Sequence, residues 1–137
     1  MSRTRFIQHA GFPIVEMDFS RVGNAVDALA AIEEARLFVA SQPLVPKLFT
    51  LVLVEGSIFN SQIIEALKNL SSHDRPWVAA GVVVGMSALH KVIYRVITTL
   101  TRRPLAAFDT ADEGKTWLAA QRLKLLQEAG AARPSGP

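Results

Sequence analysis

Apolar and polar positions follow two rhythms along this chain, one of two residues and one near 3.6, and the changes of rhythm mark its elements. Arg5–His9 and Ile14–Phe19 are short strand-like runs around Ala10-Gly11-Phe12-Pro13, a spacing that predicts a hairpin with a loop longer than two residues. In the second run Val15, Met17 and Phe19 alternate with Glu16 and Asp18, so one face of that strand is covered and the other wet. After Ser20–Gly23 the period changes. Asn24 is placed to cap a helix whose buried stripe is Ala25, Ala28, Leu29, Ile32, Ala35 and Val39, and which stops near Gln42 because Pro43 and Pro46 cannot continue it.

Leu48–Val54 (LFTLVLV) has almost no polar alternation and is predicted to lie inside a sheet, apolar on both faces and most often parallel to its neighbours. A short helix from about Asn60 or Ser61 buries Ile63, Ile64, Leu67 and Leu70, and residues 71–76 read as a loop. Trp77–Val84 is a second strand of the inner kind. Gly85 breaks it, and Leu89, Val92, Ile93, Val96, Ile97 and Leu100 then recur at helical spacing up to Arg102-Arg103-Pro104. Leu105–Phe108 is a short strand. Thr110 and Glu113 form a capping box for a last helix running through Trp117, Leu118, Leu123 and Leu126. The order β-β-α-β-α-β-α-β-α predicts an α/β fold with a mostly parallel sheet and one antiparallel strand at the N-terminal edge. Residues 1–129 are expected to form one domain, and the Pro/Gly-rich residues 130–137 a disordered tail.

The chain has 137 residues, enough for one domain with a real core. Half of the residues are apolar, yet no run approaches the roughly 20 residues of a membrane span, and the N-terminus lacks a secretory apolar core. No cysteine is present, which removes disulfides, thiol nucleophiles and thiolate metal sites, and the expected location is cytoplasmic. A formal charge of +3 falls far short of a nucleic-acid binder's.

Parallel sheets carry their functional loops beyond the carboxyl ends of the strands. Those ends hold Asp18 and Ser20, Glu55 and Ser57, Gly85 and Ser87, and Asp109 and Thr110, which together with helix N-termini can make an anion or small-molecule site. They can equally do no more than cap their own helices. His90, Lys91, Arg95, Arg102 and Arg103 form a basic strip, with Lys91 and Arg95 four apart. It reads as a docking strip for an acidic partner or lipid head group, or as the solvated side of a helix. His9, His73 and His90 have no metal-ligand spacing, G-x-S-x-G is absent, and Gly81 and Gly85 fit neither phosphate-binding glycine pattern. No enzyme, metal or cofactor is expected.

LVLVEGSIF (51–59), RPWVAAGVVVGMSALHKVIYRV (75–96) and RPLAAFDTADEGKTWL (103–118) together resemble the SpoIIAA-like, STAS-type domains, in particular the bacterial branch similar to both STAS and CRAL-TRIO domains. The resemblance implies a right-handed β-α superhelix. It also implies a regulatory or protein-interaction module without catalysis, of the kind represented by anti-sigma-factor antagonists. These are switched by phosphorylation in an Asp-Ser-Ser/Thr-Gly motif at the start of the helix after the central strand. Ser57, Asn60, Ser61 and Gln62 lie in that region: with Asn60 in the aspartate's place, Ser61 matches the first serine, Gln62 replaces the acceptor and Ile63 the glycine. The CRAL-TRIO likeness implies the alternative, a small apolar ligand or lipid, to which Phe38, Phe49, Phe59, Trp77 and Met86 lend apolar surface. A homodimer is expected, because strands 48–54 and 78–84 are apolar on both faces and helices covering one face leave the other exposed. The competing arrangement has the last helix, with Trp117, crossing to cover the second face.

Overall fold

A computed structural model describes residues 2–87 and 105–132. In chain order these form β1 (Thr4–His9), β2 (Phe12–Asp18), α1 (Ala25–Ala40), β3 (Leu48–Leu53), α2 (Ser61–Asp74), β4 (Val78–Val84), β5 (Leu105–Phe108) and α3 (Ala111–Ala132). The five strands make one sheet in the order β1-β2-β3-β4-β5. β1 is antiparallel to β2, and every later pairing is parallel. The fold is therefore α/β, with an antiparallel strand at the N-terminal edge. The helix expected after Gly85, with its basic strip, lies outside the described residues.

The two faces of the sheet are covered separately. On the first, Val15 and Met17 of β2 pack with Phe19 and Val54 against Ala28, Ile32, Ala35 and Val39 of α1 and Ile63 and Leu70 of α2. On the second, Phe12, Ile14, Leu51, Ala80, Val82 and Val84 surround Leu118 of α3, which is fully buried. The last helix thus occupies the face that a dimer was expected to bury. The helix runs through Leu123 and Leu126 as expected, and both are more than half exposed. Arg122 places its guanidinium 5.1 Å from the centre of the Phe12 ring, so a cation stacks where the apolar stripe runs out.

Gly114 permits the close approach of α3. A Cβ there would lie 2.7 Å from Val82 Cγ1 and 3.3 Å from Leu51 Cδ1. Alanine at a helix interior ordinarily adds about 1 kcal/mol over glycine, but overpacking against stiff branched side chains costs roughly 1–3 kcal/mol. Gly114→Ala is therefore expected to be a net loss of about 1 kcal/mol in urea denaturation, the reverse of the sign that helix propensity alone predicts.

Several boundaries differ from the sequence reading. The β1–β2 loop is two residues, not longer. Ala10 and Gly11 both take positive φ (48° and 82°), the geometry that matches the twist of paired strands. Pro13 is consequently inside β2, opposite Gln8, and β2 begins to pair with β3 only at Val15. Beside an unpaired stretch a missing N–H does little harm. α2 runs on through 71–74, where the sequence predicts a loop, since no glycine or proline interrupts it before Pro76. α3 likewise continues through Gly130 to Ala132, into the stretch expected to be a disordered tail. Three alanines around Gly130 favour the helix more than one glycine opposes it.

Candidate functional site

Two concave regions emerge from this arrangement, one polar and one apolar. The polar one lies beyond the carboxyl ends of the strands, where Asp18, Ser20, Glu55, Asp109 and Thr110 line one basin with Arg3 and Arg21. Five of the strand-end residues singled out in the sequence therefore converge. Gly85 joins them indirectly: with φ +89° it turns the chain beside Glu55, and its N–H donates to the Phe108 carbonyl at 3.1 Å. Ser87 is exposed and is not part of the basin lining.

Most of these groups have local tasks. The Asp18 carboxylate accepts from the Ser20 N–H at 3.0 Å and from the Ser20 hydroxyl. Arg3 Nη1 donates to the carbonyls of Asp18 and Ser20 at 3.1 and 3.3 Å, tying the N-terminus to the β2 exit. Thr110 Oγ1 accepts the Glu113 N–H at 3.2 Å and lies 2.9 Å from the Glu113 carboxylate. This caps α3 through both side chains, rather than through a reach back to the Thr110 N–H. Three carboxylates against two guanidiniums give the basin no clear preference for an anion. Among the described residues no cluster of three or more His, Asp or Glu side chains is arranged to hold a metal.

The stretch matched to a phosphorylation switch is also positioned by local structure. Ser57 donates its hydroxyl to the Phe19 carbonyl and pins the β3 exit to β2. Asn60 is the cap of α2, its Oδ1 accepting the Ile63 N–H at 2.8 Å. Ser61 and Gln62 follow in the first turn and are exposed.

The apolar region is a cavity of about 130 Å³ between the first face of the sheet and α2. Met17, Val52, Val54 and Val83 form its sheet side, Ile64, Leu67 and Leu70 its helix side, and Phe59, Met86 and Leu105 also contribute. Its polar members are Thr50, Ser71 and Asp74. Asp74 is only 4% exposed and meets His73 Nδ1 at 2.7 Å. The His73 ring in turn stacks on Trp77 with centroids 5.0 Å apart, and Trp77 Nε1 donates to the Gln42 carbonyl at 3.2 Å. The carboxylate, imidazole and indole thus form a chain from the cavity wall to the α1–β3 connection. Nearby on α1, Arg36 hydrogen-bonds Glu33 and holds that exposed carboxyl below its usual range. Asp74→Ala removes a charged hydrogen bond of this chain, and a loss of about 2 kcal/mol is expected in urea denaturation followed by circular dichroism.

Sequence reasoning identified Phe59 and Met86 as surplus apolar surface but missed Thr50 and Asp74. A signal was available for both. Thr50 is the one polar residue in LFTLVLV and shares a face with Leu48 and Val52. Asp74 stands four and seven residues beyond Leu70 and Leu67, on the buried stripe, once α2 is continued to its end.

Compared with known proteins, the chain matches no family model, no curated protein and no solved structure. No helix among the described residues is long and apolar enough to cross a membrane.

Proposed function

We propose that this chain is a non-catalytic binding module whose ligand is a small apolar molecule held between α2 and the sheet. The observation that carries this reading is the cavity. The lining of this space of about 130 Å³ is almost wholly apolar, and an apolar occupant removes that surface, together with its own, from water. Its size suits a small molecule better than a whole lipid acyl chain, which narrows the apolar-ligand alternative drawn from the sequence. Titrating toluene into the ¹⁵N-labelled chain is expected to shift the amide signals of Val52, Leu67 and Val83 in a saturable way. Unchanged spectra up to the solubility limit would reject the reading.

A second reading, a STAS-type regulatory module in the cytoplasm, is supported by the sequential strand order and by the exposed Ser61 in the first turn of α2. A phosphate there would stand near the positive end of the helix. Pull-down with the native chain and with Ser61→Asp tests it, and no protein enriched over an unrelated bait by either form removes it. A two-fold dimer, expected from an uncovered sheet face, loses that rationale because α3 lies on the face in question. The expected result in sedimentation equilibrium is accordingly one species near 14.9 kDa.

A further inference from the structure

We infer that the ligand of this cavity carries one hydroxyl on a ring-sized apolar body, and that Thr50 receives it. The inference rests on the apolar-ligand reading and adds the chemistry of recognition. Thr50 is 6% exposed, lies in the middle of the sheet and lines the cavity. Its neighbours in register are Val15 on β2 and Gly81 on β4, one apolar and the other without a side chain. Neither can hydrogen-bond Thr50 through a side chain, and its Oγ1 has no hydrogen-bond partner among the described residues.

Buried hydroxyls are ordinarily satisfied, and one left open toward a cavity marks where a partner atom belongs. Gly81 reinforces the point, because a Cβ there would come within 2.7 Å of Thr50 Oγ1 and close off that side. The cavity volume of about 130 Å³ is near the roughly 150 Å³ that takes a benzene ring. The walls on either side are methyl and methylene groups of Val52, Val83 and Leu67, suited to a ring. A hydroxyl on the ligand matches Thr50 in both directions, since each can donate to and accept from the other.

Phenol and toluene, nearly equal in shape and different in one group, test this on the full chain. Each is titrated into the wild type, Thr50→Val and Thr50→Ser, with the amide signals of Val52, Leu67 and Val83 followed. Thr50→Val is expected to weaken phenol about tenfold, because the ligand hydroxyl is then buried unpaired, and to leave toluene unchanged or tighter. Thr50→Ser is expected to keep phenol affinity within about twofold, since the hydroxyl is retained. If toluene binds the wild type and phenol affinity is unmoved by Thr50→Val, the role of Thr50 is overturned while the apolar-ligand reading stands. If neither molecule shifts the cavity signals of the wild type, both fall. Should Thr50→Val not fold, Thr50→Ala takes its place: phenol weakened relative to toluene supports the assignment, and an unchanged ratio of the two affinities overturns it.

Discussion

Gly85→Ala is expected to lower the unfolding free energy by about 3 kcal/mol or more, the largest effect of any glycine substitution among the described residues. Two costs add. The backbone at Gly85 has φ +89°, where an L side chain is strained by roughly 1–2 kcal/mol. A Cβ would also meet Glu55 Cβ at 2.7 Å and its Cα and N at 3.0 Å. Those last two are backbone atoms fixed at the end of β3, so relief requires the exits of β3 and β4 to move apart, and overpacking of this kind costs about 1–3 kcal/mol. Gly11 supplies the comparison, for its φ is +82° but nothing lies within 4 Å of a Cβ there. Urea denaturation of both variants separates strain from contact. Gly11→Ala is expected to lose about 1–2 kcal/mol, and an equal loss in the two would show that contact with Glu55 adds nothing.

Leu118→Asp is expected to leave the chain largely unfolded or self-associated. Leu118 is fully buried on the second face, among Leu51, Ala80, Val82 and Val84. An aspartate there loses the contacts of a large side chain, about 2–5 kcal/mol. It also places a carboxylate in an apolar setting at a cost of several kcal/mol more. Together these approach the whole stability of an ordinary domain, about 5–15 kcal/mol. The matched control is Leu123→Asp on the same helix, where the leucine is 56% exposed. It should change stability by no more than about 0.5 kcal/mol. Circular dichroism and sedimentation velocity read both outcomes, and a folded, monomeric Leu118→Asp would mean that α3 does not seal this face.

Elements with a strong period were the legible part of this fold. Inner strands such as LFTLVLV show themselves by lacking alternation, and caps such as Asn24 and Asn60 by standing just before a helical stripe. The sheet-edge basin was also legible, because strand ends in a parallel sheet must lie on one rim. Less legible were features set by contact between distant segments. Nothing local says that Ala10 will accept positive φ, and the polar run of two serines, a histidine and an aspartate after Leu70 masks the continuation of α2. The cavity depends on α2, β3 and β4 being brought together at one distance, and no single stretch records that distance. Thr50 could be placed on the correct face, but not seen to lack a partner, until Gly81 was known to be beside it.

The position of α3 after every strand has a consequence for synthesis. Ile14, Leu51 and Val82 all leave the ribosome before the 22 residues of the helix that covers them. At about 5–20 residues per second, translating that helix takes roughly one to four seconds, during which the second face lacks the cover that α3 gives it. Closure of the sheet is thus a late event in the life of each molecule, and the nascent chain in that interval is a natural client for a chaperone that holds apolar surface. A translation pause placed before Asp109 would lengthen the interval, and slowing the codons of this stretch should raise the aggregated fraction without changing the protein sequence at all.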